Sequence, residues 1–176
     1  VSQVTNSELA HYHDPKAGDH FKAQHITYQD FRGNVYNFDS RWELNIFRIL
    51  RGFSFVSKIE KDYRLLVLPK TLHYPSRHWR VDFKVNCYNT EGFFLECKSE
   101  KSALHADFRR SLENLSFFNP SDFERLLIVL PDSNKRSLDK VSKYLRVPVY
   151  PEGLFKGATL LTATQLKEFL TVQKPS

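Results

Sequence analysis

The chain has 176 residues, 41% of them hydrophobic, enough for one ordinary core. Lys and Arg outnumber Asp and Glu by 26 to 20, and the net charge of +6 favours a polyanionic partner without naming one. No apolar run approaches the roughly 18 residues that span a bilayer, and two cysteines, Cys87 and Cys97, make no disulfide framework. No membrane partner is expected, and a reduced, cytoplasmic or otherwise intracellular setting is.

Residues 1 to about 25 are polar and without helical or strand period, and they lack the apolar stretch of a secretory leader. His11, His13, His20 and His25, with Asp14 and Asp19, stand at no standard zinc spacing, so an arm is expected there rather than a metal site. Gly33-Asn34 between Tyr28 and Tyr36 predicts a small hairpin. The expected organisation is residues 1–37 as an arm or small hairpin and residues 38–176 as one domain.

Trp42, Ile46, Ile49 and Leu50 repeat at helical spacing and predict a helix over Ser40–Arg51, opened by a Ser40/Glu43 capping box and ended by Gly52. Phe53–Ile59 and Tyr63–Leu68 read as two strands. Arg80–Asn86 alternates, with Val81, Phe83 and Val85 on one face and Arg80, Asp82, Lys84 and Asn86 on the other. Gly92–Lys98 is a further strand after a turn at Asn89–Gly92. The apolar positions Leu104, Phe108, Leu112 and Leu115 predict one helix over Ala103–Phe117. A buried strand at Arg125–Leu130, a helix at Lys135–Leu145, a last strand at Val147–Tyr150 and a helix at Thr164–Val172 complete the chain. This order predicts an α/β fold, a mixed central β-sheet flanked by helices.

The chemistry concentrates on one hairpin. Glu96 and Lys98 share a strand face, with Leu95 and Cys97 on the other. A turn centred near residues 89 to 90 sets Asp82 opposite Glu96 or Lys98. Two carboxylates one strand apart can hold a divalent cation through oxygen, as Mg²⁺ prefers. A lysine beside them can orient water or stabilise charge developing on a phosphate. The plainer alternative is a solvent-facing hairpin with cross-strand ion pairs. The apolar Gly92-Phe-Phe-Leu95 run before Glu96 argues against it, because charge at the end of a buried strand is rarely ornament.

Val81-Asp82 and Glu96-Cys97-Lys98 together resemble the PD-(D/E)XK, or restriction-endonuclease-like, nuclease superfamily, with Val where the pattern has Pro. Phe38–Glu43 is similar to the Ser-X-X-Glu opening of the first core helix in phage, transposon-end and homing-type endonucleases of that group. The resemblance covers roughly Phe38 to Leu130 in element order and implies a core of αβββαβ order in a prokaryotic or phage setting. It implies a Mg²⁺-dependent endodeoxyribonuclease, with Mn²⁺ able to substitute. Asp82, Glu96 and Lys98 would be catalytic, Glu43 a further acidic group, and Asp82, Glu96 and the Cys97 carbonyl the metal ligands. Glu43 is equally read as the capping partner of Ser40.

Lys101, His105 and Arg109 are spaced four apart, a helical stripe that would contact DNA phosphates or would simply be a solvated face shared with Asp107 and Glu113. Arg77, His78 and Arg80 around Trp79 form a basic-aromatic cluster beside Asp82, able to grip a backbone or merely flank a strand start. Cutting both strands of a duplex would suit a homodimer or larger homo-oligomer. A non-cleaving nucleic-acid-binding module on the same fold and a merely basic structural protein are the alternatives. The first gives no reason for the Asp82, Glu96 and Lys98 trio, and the second none for charges on central strands.

Overall fold

In the computed structural model, which describes residues 25–173, a five-stranded mixed sheet lies between two layers of helices. The N-terminal arm and its histidines, His25 excepted, fall outside the described residues. Among the described residues no helix is long and apolar enough to cross a membrane.

Strands β1 (Ile26–Gln29) and β2 (Val35–Phe38) form the small hairpin expected around Gly33, whose φ of +83° suits glycine. Its turn is organised by buried Asp30, whose carboxylate accepts from the Arg32 and Asn34 amides, each at 2.9 Å. Phe38 ends β2 fully buried, in contact range of Phe47 with ring centroids 5.1 Å apart. Helix α1 (Arg41–Arg51) follows, with Ser40 as its N-cap, and buries Trp42, Leu44, Ile46, Phe47, Ile49 and Leu50.

The sheet order is β3-β4-β5-β6-β7: β3 (Val56–Leu68), β4 (Arg77–Cys87), β5 (Phe93–Cys97), β6 (Leu126–Leu130) and β7 (Thr159–Thr162). β4 is antiparallel to both of its neighbours, β3 and β5, and β5, β6 and β7 run parallel. Between β5 and β6 come α2 (Glu100–Ala103), α3 (Ala106–Phe118) and α4 (Pro120–Phe123). A 3₁₀ turn (Asp132–Ser137), α5 (Leu138–Leu145) and, after β7, α6 (Ala163–Val172) follow. Residues of α1 and α6 share one core with Phe83, Val85, Phe93, Leu95, Leu127 and Val129. Residues of α3 and α5 share the other with Leu65, Val81, Phe94, Leu126, Ile128 and Leu130. β6 is buried along its whole length, as a parallel strand covered on both faces must be.

Three expectations are corrected. The two strands read at Phe53–Ile59 and Tyr63–Leu68 are one β3, with Asp62 at φ +53° in its middle and register shifts near its two ends, between Val56 and Lys58 and between Leu66 and Leu68. The polar Glu60-Lys61-Asp62 run looks like a break, yet Lys61 still pairs with Phe83 and Tyr63 with Val81. The helix read over Ala103–Phe117 is two helices, because His105 caps a new one. The fifth strand is Thr159–Thr162, whereas Val147–Tyr150 contributes one isolated bridge, Val149 to Leu160. Pro148 and Pro151 deny that segment a continuous ladder.

Candidate active site where β4 and β5 part

β4 and β5 pair in the register expected from their turn, with Phe83 opposite Leu95, Lys84 opposite Phe94 and Val85 opposite Phe93. The turn is clamped from β6's side. Arg125 donates to the carbonyls of Glu91 and Gly92 and pairs with the Glu91 carboxylate. A Cβ on Gly92 would stand 2.1 Å from the Val85 carbonyl oxygen, so only glycine permits this approach.

Beyond Phe83 and Leu95 the backbone ladder stops, and carboxylates take over its work. The Cys97 amide donates to Asp82 Oδ2 at 2.7 Å, and the Asp82 amide donates to Glu96 Oε2 at 3.2 Å. Each carboxylate thus satisfies a backbone donor that the parted strands would leave unpaired. The parting falls where the long hairpin changes sides. Ile59, Phe83 and Val85 pack on the α1/α6 core, whereas Leu65, Val67 and Val81 pack on the α3/α5 core. Asp82 lies between Val81 and Phe83, at that changeover.

Glu96 is 2% exposed, and its other oxygen, Oε1, accepts from Lys98 Nζ. Lys98 is fixed further by the face of Phe108, the first buried residue of α3, with Nζ 5.0 Å from the ring centroid. Trp79 meets the same ring edge-on, its centroid at 5.6 Å. Burial, then the charges of Glu96 and Glu43, hold the Asp82 carboxyl well above the usual carboxylate range. Burial raises Glu96 as well, and the Lys98 charge offsets part of that. Burial by itself would lower the Lys98 ammonium, but Glu96 and Asp82 outweigh it and the group stands above its ordinary value. Burial pushes the Cys97 thiol far up, and its side chain packs on the α1/α6 core, so only its backbone faces the carboxylates' business.

Glu43 lies near enough for its charge to act on Asp82, Glu96 and Cys97. Its carboxylate is already occupied: Oε2 accepts from the Asp39 amide at 3.3 Å and from Lys61 Nζ at 3.4 Å. The cap is therefore real, with Ser40 Oγ accepting from the Glu43 amide, but the return bond goes to Asp39 rather than to Ser40's own amide. Lys61 is the residue that reading the sequence missed. It sits in the apparent strand break, with Nζ 4.9 Å from the Phe38 centroid and 5.7 Å from that of Phe83. No sequence signal marks it, because its partners arrive from β2, α1 and β4.

Of the residues expected to contact DNA, Lys101, His105 and Arg109 do not form one helix stripe. Lys101 is on α2, His105 is the N-cap of α3 and Arg109 is on α3, bonded to Glu113 at 3.0 Å. The helix is broken there because Ser99 and Ser102 cap α2 reciprocally and His105 Nδ1 then accepts from the Asp107 amide. Arg77 and Arg80 are exposed on β4.

Asp82 and Glu96 suit a hard cation by donor chemistry, since both are oxygen ligands whose burial and mutual repulsion a positive charge would relieve. Among the described residues no group of three or more His, Cys, Asp or Glu side chains is gathered around a common point. Mg²⁺ ordinarily takes one or two carboxylates and completes its shell with water and substrate oxygen, so a two-carboxylate site fits it. No protein-family model matches the chain, and no curated protein matches it significantly in sequence.

Proposed function

We propose that the chain is a Mg²⁺-dependent DNA endonuclease with a restriction-endonuclease-like core. The observation that carries the reading is the parting of β4 and β5, where buried Glu96, half-buried Asp82 and a lysine stand together at the end of paired central strands. The order α1-β3-β4-β5-α3-β6 supports it, being the αβββαβ order that the resemblance implies. A carboxyl whose burial and acidic neighbours push its pKa up is a costly feature for a structural hairpin, and a cation would give it a purpose.

In this reading Asp82, Glu96 and the Cys97 carbonyl would hold the ion, which would supply Lewis acidity when bound. The Cys97 amide holds the Asp82 carboxylate by Oδ2 and so fixes its orientation. The Asp82 amide orients Glu96 through Oε2, while Oε1 accepts from Lys98. Lys98, steadied by Phe108, presents an ammonium that orients the attacking water or stabilises charge on the phosphate oxygens. Glu43 contributes negative field from behind, with Lys61 fixing its carboxylate.

One observation favours the non-cleaving alternative: Lys98 already neutralises Glu96 without any ion. A nicking assay separates the two. Supercoiled plasmid, forked duplex and single-stranded DNA are incubated with wild type, Asp82→Asn and Lys98→Ala in Mg²⁺, Mn²⁺ or EDTA. Cutting by wild type in either metal, abolished by EDTA and by each substitution, is expected. DNA binding with no cutting in either metal would leave the binding module.

A further inference from the structure

The outer half of the β3–β4 hairpin has no part in the carboxylate cluster. From Tyr63 to Val81 it carries Arg64, Lys70, His73, Arg77, His78 and Arg80 and no acidic residue. All six are exposed. None of its four Lys and Arg side chains has an ion-pair partner among the described residues. Arg64 stands directly opposite Arg80 across the ladder. Like charges in that position destabilise a sheet, and an anion from outside relieves them.

The apex differs in character from the stem. Thr71 and Tyr74 close it reciprocally: the Thr71 amide donates to the Tyr74 carbonyl at 2.9 Å, and the Tyr74 amide donates to Thr71 Oγ1 at 3.1 Å. Pro69 and Pro75 flank this turn and restrict it further. The result is a defined tip that holds Leu72 93% and Tyr74 72% exposed. Its root is equally defined, since Leu65, Val67 and Val81 are buried against the α3/α5 core. The arm is thus a direct continuation of the strand that bears Asp82, and Arg77 lies five residues from Asp82, about 17 Å along the strand at ~3.3 Å per residue.

Cations along a stem and an aromatic-apolar tip match two parts of one polymer. Phosphates answer the cations, and the face of an unstacked base answers Tyr74 and Leu72. An intact duplex offers the first and hides the second. Resting on the nuclease reading above, we infer that the β3–β4 arm selects DNA at a boundary between paired and unpaired strands, with the stem on phosphates and the tip on an exposed base.

Binding of the full chain is measured by fluorescence anisotropy in Ca²⁺, on a forked DNA and on a blunt duplex of equal charge. Wild type should prefer the fork roughly tenfold, the scale of one base stacked on an aromatic ring. R64Q/R80Q should weaken both DNAs and flatten the log affinity–log salt slope by about two units, ~0.9 for each phosphate contact to paired DNA. L72A/Y74A should erase the fork preference and leave the duplex affinity and its slope unchanged. Thermal melting establishes that each variant folds, and both sets of changes lie on exposed positions. Equal wild-type affinity for fork and duplex overturns the inference, as does an unchanged slope in folded R64Q/R80Q. Loss of binding to anionic phospholipid vesicles by both variants, with no wild-type DNA binding, would assign the arm to a lipid surface and overturn it too. The two readings fail separately. Wild type that shows the fork preference but cuts nothing in Mg²⁺ or Mn²⁺ removes the nuclease and keeps the arm. Wild type that cuts while the arm variants bind unchanged keeps the nuclease and removes the arm.

Discussion

The charges where β4 and β5 part and those on α3 are separated by about ten residues of sequence and by every property that decides what a charge can do. Asp82, Glu96 and Lys98 are fixed by backbone amides, by each other and by an aromatic face, largely out of water. On α3, Arg109 is bonded to Glu113, Arg110 lies 3.6 Å from Asp107, and His105 lies 3.7 Å from the same carboxylate, with most of these groups exposed. Exposed i,i+3 and i,i+4 pairs are worth only a few tenths of a kcal/mol. The cluster at the parting holds two carboxylates close together with one lysine paired to Glu96, whereas α3 neutralises itself by ion pairs along its own exposed face.

The contrast predicts effects of very different size. The largest is on cleavage. Lys98→Ala should cut DNA at least about 10²-fold more slowly while DNA affinity in Ca²⁺ changes little, as when a contact made in the transition state is lost. Single-turnover cleavage beside anisotropy checks this, and wild-type cleavage by the variant would reduce Lys98 to a partner of Glu96.

Next is the response to metal. Mn²⁺ should raise the melting temperature of wild type, because an ion that binds only the folded state stabilises it by mass action. Asp82→Ala and Glu96→Ala should each abolish that rise and the corresponding heat in a calorimetric titration. A rise retained in both would move the ion elsewhere.

A smaller effect concerns pH without metal. The folded chain holds a proton on Asp82 to higher pH than the unfolded chain does. This group's contribution to stability is therefore present in acid and is lost as pH climbs from the ordinary carboxylate range through the raised value. Asp82→Asn keeps an oxygen for the Cys97 amide and removes the charge. It should melt higher than metal-free wild type at neutral pH, by a few degrees. The gap should close toward pH 4, a region set by the ordinary carboxylate pKa of about 4. A constant gap across that range would mean that Asp82 is ionised in the folded protein throughout.

The smallest effect is on α2 and α3. Lys101→Ala combined with Arg109→Ala should flatten the salt slope of DNA binding by at most about one unit, Lys101's share, because Arg109 is already paired with Glu113. A loss of two units would show that DNA displaces Glu113, and would erase the difference between the two regions.

Much of this was legible in residue order. The period of Trp42, Ile46, Ile49 and Leu50 gave α1, the alternation of Val81, Phe83 and Val85 gave β4, although Val81 packs on the opposite core from the other two and not on the shared face expected, and the turn length set Asp82 against Glu96. These are local properties, fixed by side-chain periodicity and by the geometry of a short turn. The break between α2 and α3 was not legible, because Leu104, Phe108, Leu112 and Leu115 keep a helical spacing straight through it. Nor was β7, whose Thr-Leu-Leu-Thr sequence is too short to signal a strand until β6 offers it a ladder.

The sequence by itself determined which residues carry charge on the central strands and which of them face each other across the β4–β5 turn. Only the tertiary structure decided that the strands part at that point, that Lys61 reaches Glu43 from β3, and that Phe108 covers Lys98. The reason is range. Strand register follows from neighbours a turn apart, whereas parting, burial and the resulting pKa shifts depend on α1 and α3 closing over the sheet from distant parts of the chain.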